Sequence, residues 1–145
     1  MPNQYANRYI SMLYRYGQRF FAHKLKDCDI DVGQMPFLMQ VCRNPGITQE
    51  GISANLGMDK GTTARGVRIL EEAGYVARKT GTDKRVNHIY PTEKAQPLFE
   101  KMNQVILDYH SVLYKGLTQN EIEEVTRYLV RMKDNVKIFM EQENK

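Results

Sequence analysis

Arg65 and Arg68 stand three residues apart, with Lys60, Gly61 and Thr62 just ahead of them. Further along, Lys84 and Arg85 follow Asp83 in a short polar run that begins at Thr80. Side chains of this kind, in this pattern, point to binding and not to covalent chemistry. They offer guanidinium forks and points of positive charge to phosphates and to the edges of bases. Residues 60–90 carry seven basic side chains (Lys60, Arg65, Arg68, Arg78, Lys79, Lys84, Arg85) against three acidic ones (Glu71, Glu72, Asp83). Taking these from the chain's 21 and 17 leaves 14 of each sign, so this window holds the whole net charge of +4. A solvated basic face is the plain explanation of such a cluster. The elements that carry it decide between that and a surface for a polyanion.

Those elements are two short helices, a turn and a hairpin. Thr48 is placed to cap the first helix, with Ile47 and Ile52 at the two positions of a hydrophobic staple. Ile52 and Leu56 form its buried stripe, Gly57 supplies the turn, and Asp59 caps the next helix. At 100° per residue, Asp59–Ala73 gathers Thr63, Gly66, Val67, Leu70 and Ala73 on one side. Gly61, Ala64, Arg65, Arg68 and Glu72 fall opposite, with Lys60 at the margin and Thr62 on the flank of the first turn. Small residues let a helix sit deep in a groove, and its arginines then reach base edges or phosphates. Gly74 ends the helix, and Tyr75–Lys79 and Arg85–Tyr90 read as strands around a polar, basic tip. Along the second strand, Val86, His88 and Tyr90 alternate with Arg85, Asn87 and Ile89. An arginine at such a tip suits a minor groove, where narrow A·T-rich DNA concentrates negative potential. The fold class expected is mainly α with a small β-hairpin: a winged helix-turn-helix, a fold that reads double-stranded DNA.

The flanks are helical. Residues 3–26 place Tyr5, Tyr9, Met12, Leu13, Tyr16, Phe20 and Leu25 at helical spacing, with five basic residues and no acidic one. So many aromatics need a large apolar surface, from the same domain or from a partner chain. Asp27–Gly33 breaks the helix, Gln34–Arg43 forms another with Pro36 in its first turn, and Asn44-Pro45-Gly46 turns. A further helix runs from Thr92 to about Tyr114, and Pro97 within it predicts a kink or a late start. Thr118 and Glu121 form a capping box. After it Ile122, Val125, Leu129, Met132, Val136 and Phe139 alternate steps of three and four, a seam suited to lengthwise packing on another helix. Two long terminal helices with apolar faces, in a chain of 145 residues, favour a homodimer. The division expected is one domain, with dimerisation helices at 1–32 and 98–145 around a DNA-binding region at 33–97.

Other function classes find little support. The apolar runs are too short to span a membrane, and the N-terminus lacks the apolar core of a signal peptide, so a cytoplasmic chain without a membrane partner is expected. There is no glycine-rich phosphate loop, no metal-ligand pair on one helix face and no nucleophile motif, which argues against an enzyme, a metal site or a cofactor. Two other regulatory or structural roles stay open. Cys28 or Cys42 would sense oxidants in a thiol-based regulator, although three aspartates surround Cys28 and Cys42 falls on a helical apolar pattern. A sequence-independent architectural DNA-binding protein fits the basic helix and hairpin as well. Tyr9, Met12, Leu13 and Tyr16 on the first helix, with Met39 on the second, are candidates to line a small-molecule pocket, where methionines adapt to varied ligands.

The run from Thr48 through Thr92 resembles the MarR family, the multiple-antibiotic-resistance regulators. The resemblance rests on Thr48-Gln-Glu-Gly-Ile-Ser-Ala-Asn-Leu-Gly, Asp59-Lys-Gly-Thr-Thr-Ala-Arg, Leu70-Glu-Glu-Ala-Gly-Tyr-Val, and the wing segment Asp83-Lys84-Arg85. It implies a homodimeric repressor on a pseudo-palindromic operator. The helix would enter the major groove and Arg85 the minor groove, with Asp83 bracing the wing. It also implies release by a small phenolic or other amphipathic effector bound between the dimerisation and DNA-binding regions. Ala95 and Pro97 depart from the family pattern after Thr92, and a different angle at that joint would alter the spacing of the two recognition helices.

Overall fold

Thr48 accepts the amide of Gly51 at 3.0 Å, and that cap starts the helix Gln49–Leu56. Asp59 does the same for Thr62 at 2.7 Å and starts Lys60–Glu72, while Gly57 turns the chain between them at φ 65°. The computed structural model describes residues 5–144. In chain order the helices are α1 Ala6–Lys24, α2 Met35–Arg43, α3 Gln49–Leu56, α4 Lys60–Glu72, α5 Ala95–Leu113 and α6 Gln119–Glu143. A 3-10 turn, Val32–Gln34, leads into α2, and the strands β1 Val76–Thr80 and β2 Asn87–Pro91 lie between α4 and α5. This is the mainly helical, hairpin-bearing winged helix expected. The start of the first helix expected at residue 3 lies outside the described residues.

At the far end of α4, Gly74 takes φ 84° and gives its amide to Glu71, while Tyr75 bonds back to Leu70. That Schellman ending satisfies the last carbonyls and feeds the chain directly into β1. The hairpin is antiparallel, pairing Val76 with Pro91 and Thr80 with Asn87. Its second strand starts two residues later than expected. The Asp83 carboxylate accepts from the Arg85 amide, and Val86 bonds to the Asp83 carbonyl, so residues 83–86 close a local turn, tied to the end of the ladder by the Gly81 amide on the Val86 carbonyl at 3.2 Å. Ile47 extends the sheet by one bridge, receiving the Ile89 amide at 2.9 Å. The hairpin is thereby stitched to the turn before α3, which gives two strands the support they lack alone.

Leu38 and Val41 of α2, Ile52 of α3, Val67 and Leu70 of α4 and Ile89 of β2 are all fully buried. Removing each from water contributes roughly 1.5–3 kcal/mol before entropy is counted. Thr63 is buried among them and is satisfied twice. It accepts from Ser53 Oγ at 2.8 Å and donates to the Asp59 carbonyl at 3.0 Å. Pro97 realises the late-start alternative. α5 begins at Ala95, which makes the proline its third residue, where a missing amide leaves no helical bond unmade.

Among the described residues the chain divides into two compact units, one ending at Tyr109 and the other beginning at His110. In the first, α1 meets α5 where Phe20 and Phe21 lie 5.2 and 5.0 Å from the Tyr109 ring. Gly17, the one buried residue of α1, lets that ring in, since an added Cβ would stand 2.9 Å from the Tyr109 hydroxyl. The second unit is mostly α6, whose capping box forms as expected. Along its seam Val125, Leu129, Met132, Val136 and Phe139 are exposed.

Candidate nucleic-acid interface

The packed side of α4 fixes which of its residues face water. Thr63, Gly66, Val67 and Leu70 are buried, as the wheel predicts, and Lys60, Gly61, Arg65 and Arg68 are exposed with Thr62 half-buried. Around the first turn the polar groups interlock. Asp59 takes the Thr62 amide on one oxygen and the Thr62 hydroxyl on the other, both at 2.7 Å. Thr62 Oγ1 in turn accepts from Arg65 Nη2 at 3.2 Å. The Asp59 carboxyl is held below its usual range, first by the Thr62 amide and hydroxyl and then by the Arg65 charge. Near the other end of α4, Glu71 pairs with Arg78 of β1 at 3.1 Å.

At the hairpin tip the Asp83 carboxylate receives both Nε and Nη2 of Arg85, at 3.1 and 3.2 Å, while the arginine side chain stays 89% exposed. These bonds also lower the Asp83 pKa. Lys84 is exposed beside them, and Lys79 lies 4.9 Å over the Tyr90 ring on the hairpin shaft. Among the described residues Lys60, Arg68 and Lys84 have no carboxylate partner, so their charges are available to an outside anion. His88 Nδ1 meets the Gly46 carbonyl at 2.8 Å and ties the wing to the turn before α3.

A brace at the base of the wing has no signal in the sequence pattern. Tyr75 donates its hydroxyl to Asp29. Lys94 donates to Asp29 at 3.2 Å and to the Ala73 carbonyl at 2.7 Å, and its ammonium sits 4.5 Å over the Tyr75 ring. Thr92 adds a bond to the Gly74 carbonyl at 2.6 Å. The end of α4, the start of β1 and the approach to α5 are thus fastened to the loop after α1. Burial, and then the Asp29 bond, push the Tyr75 phenol up to about 12; the Tyr75 hydroxyl and Lys94 hold Asp29 below the usual carboxylate range. Tyr75→Phe is expected to lower the urea midpoint without changing the slope, because the ring and its packing remain. Asp29 has a depressed folded pKa, so its contribution is present above the unfolded carboxylate value and lost as pH falls through the folded one. The gap between wild type and Tyr75→Phe should therefore close on acidification. A gap that stays constant from neutral to acid pH would remove Asp29 from the brace.

A cavity of about 430 Å³ opens where α1, α2 and α5 meet. Leu13 and Met39 line it, with Tyr14, Phe21, Met102 and Arg43, the one charged residue on its wall. Tyr9, Met12 and Tyr16 do not line it. α1 turns its Leu13–Tyr14–Gly17 edge toward α2, leaving Tyr9 and Tyr16 exposed and Met12 half-buried elsewhere on the helix. Cys28 and Cys42 are free and half-buried, and burial raises the Cys42 thiol pKa. The described residues hold no group of three or more His, Cys, Asp or Glu arranged for a metal, and no helix long and apolar enough to cross a membrane.

Residues 29–86 match the family model described as MarR family. A MarR transcriptional regulator from Methanosarcina mazei Go1 is 36% identical, with 91% of this chain and 96% of that one covered at a TM-score of 0.79. A putative MarR family transcriptional regulator from Listeria monocytogenes, solved in complex with a 26mer DNA, is 28% identical over 92% of this chain and 89% of that one, at a TM-score of 0.87. An uncharacterized HTH-type transcriptional regulator, YybA, of Bacillus subtilis (strain 168) is 28% identical over 130 residues, which are 89% of this chain and 87% of the relative. Identity and coverage at this level, on a winged helix with a basic recognition face, place the chain in the MarR family of transcriptional regulators.

Proposed function

We propose that this chain is a cytoplasmic, homodimeric, sequence-specific DNA-binding repressor, without enzymatic activity, released from its operator by a small amphipathic ligand. The observation that carries the reading is the exposed side of α4, small at its start and basic along its length, set on the same unit as the Asp83-braced Arg85 of the wing. Lys60, Gly61, Thr62, Arg65 and Arg68 meet the major groove, and Lys84 and Arg85 the minor groove or the backbone beside it. The Listeria relative's complex with a 26mer DNA supports this use of the fold. Selection of bound sequences from a random DNA pool tests it directly. A regulator yields a two-fold half-site pattern and prefers it at least about a thousandfold over random DNA, whereas an architectural protein yields no pattern. Arg65→Ala should relax the preference at one base pair, costing roughly 1–3 kcal/mol there if its contact is bidentate. Equal loss on operator and random DNA would make Arg65 a phosphate contact instead.

Dimerisation follows from the apolar surface the chain leaves exposed. Tyr5, Tyr9, Leu13 and Tyr16 on α1, and separately the seam residues of α6, are exposed apolar side chains of the kind that a partner chain covers. The segments 1–32 and 98–145 thus supply the pairing, and 33–97 the DNA contacts. The ligand belongs in the cavity beside Leu13 and Met39, with its charge toward Arg43. Titration with salicylate-like carboxylates should give heat and weaken DNA binding, and the neutral amides should do neither as well. No heat with any of them would sink the ligand assignment.

A further inference from the structure

Resting on the reading of α4 as the recognition helix, we propose that Asp59 and Thr62 are positioning residues that set base preference by holding the Arg65 guanidinium against the first turn. The order of donors makes this more than a cap. Thr62 spends its hydroxyl proton on Asp59 Oδ2 at 2.7 Å, so its lone pairs face outward and accept Arg65 Nη2 at 3.2 Å. A carboxylate, a hydroxyl and a guanidinium are thereby in series, each polarising the next. The series is anchored inside the protein. Ser53 of α3 donates to the buried Thr63, which donates to the Asp59 carbonyl at 3.0 Å. The backbone that carries the carboxylate is therefore fixed to the core.

Gly61 lies beside the arrangement. A Cβ there would stand 3.3 Å from Asp59 Oδ1, a tight approach, and 3.5 Å from Arg65 Nη1, an ordinary contact, so the guanidinium lies back over the first turn. Only one N–H of five is used by Thr62, so a pair of parallel donors remains for the two acceptors of a guanine edge. A loose arginine loses many rotamers on binding and reaches phosphates and bases alike. One held in place loses fewer, and offers its fork at one point of the groove. Specificity at that base pair accordingly depends on Asp59 and Thr62 through the guanidinium they hold.

The test compares wild type, Arg65→Ala, Thr62→Val, Thr62→Ser and Asp59→Asn on the selected operator and on a panel with each base pair changed in turn. Thr62→Val keeps the amide that Asp59 caps and the shape of the side chain, and removes only the hydroxyl. It is expected to lower the preference at the Arg65 base pair at least fivefold, toward the Arg65→Ala level, and more than at any other position. Thr62→Ser should restore it, and Asp59→Asn, which retains a capping side chain, should lower it at the same position. A purely capping role would shift the melting temperature or weaken all sequences alike. Wild-type preference in Thr62→Val, uniform loss across the panel, or no rescue by serine would each overturn the proposal. If Arg65→Ala changes no single position while wild type remains selective, the relay is wrong and the regulator reading stands. If wild type selects no sequence, the reading of α4 fails and the relay falls with it.

Discussion

Gly66→Ala is expected to lower the stability of the DNA-binding unit by about 1–3 kcal/mol, although alanine is normally the better helix former by about 1 kcal/mol. Gly66 sits in the middle of α4 on its packed side, and an added Cβ would fall 2.3 Å from Phe37 Cε2 and 2.4 Å from Cδ2. Phe37 is itself 3% exposed and belongs to the packed core, so its ring is enclosed by neighbours. Relief must come from moving α4 away from α2, which opens the contact among Leu38, Val67 and Leu70 and displaces the face that carries Arg65 and Arg68. Urea unfolding followed by circular dichroism reads the loss directly, and DNA affinity should fall with it. Phe37→Leu, which removes the offending ring carbons, should cost stability alone but recover part of the loss when combined with Gly66→Ala, a coupling that two independent sites would not show. A midpoint at or above wild type for Gly66→Ala would mean the helices separate without cost.

That glycine marks the boundary of what the sequence discloses. The helical wheel assigns Gly66 to the packed side, which is correct, but it does not name the ring that requires a glycine there. The caps at Thr48, Asp59 and Thr118, the division of α4 and the Gly74 ending all depend on neighbours within one or two turns, so local rules reach them. The start of β2 fails for a local reason of another kind. Asp83 bonds the Arg85 amide and draws Arg85 and Val86 out of the strand despite their alternating pattern. The brace of Asp29, Tyr75 and Lys94 joins residues 46 and 65 positions apart, and no periodicity encodes such a meeting. The cavity shows the same limit. Spacing identifies the apolar side of α1, but only the placement of α2 decides that Leu13 lines the space while Tyr9, Met12 and Tyr16 do not. Conversely, the α6 helix and its capping box were legible from the sequence, because an apolar repeat and a local cap are properties of the segment alone.

Arg85→Ala should weaken operator binding at least tenfold, about 1.4 kcal/mol, with unchanged unfolding and an unchanged oligomeric state. The side chain is 89% exposed and makes its ion pair at the tip with Asp83, so its removal disturbs no core contact. What it removes is a guanidinium held at the hairpin tip by two parallel bonds to Asp83, suited to a narrow minor groove, where negative potential is strongest. Asp83→Ala leaves the charge but frees the rotamers, and should cost less than Arg85→Ala. A larger loss would mean that the shape of the turn, with its Asp83-to-Arg85 amide bond, matters more than the cation. The pair also sets a pH expectation. Arg85 lowers the Asp83 pKa, so the brace is complete above the ordinary carboxylate range and weakens only as pH falls through the depressed value. Between about pH 6 and 8 operator affinity should not vary through this pair. Salt separates the remaining roles: loss of a phosphate-neutralising cation reduces the slope of log affinity against log salt by about 1, whereas loss of base preference alone leaves it unchanged. Affinity equal to wild type at moderate salt would take Arg85 out of the interface and leave DNA binding to α4.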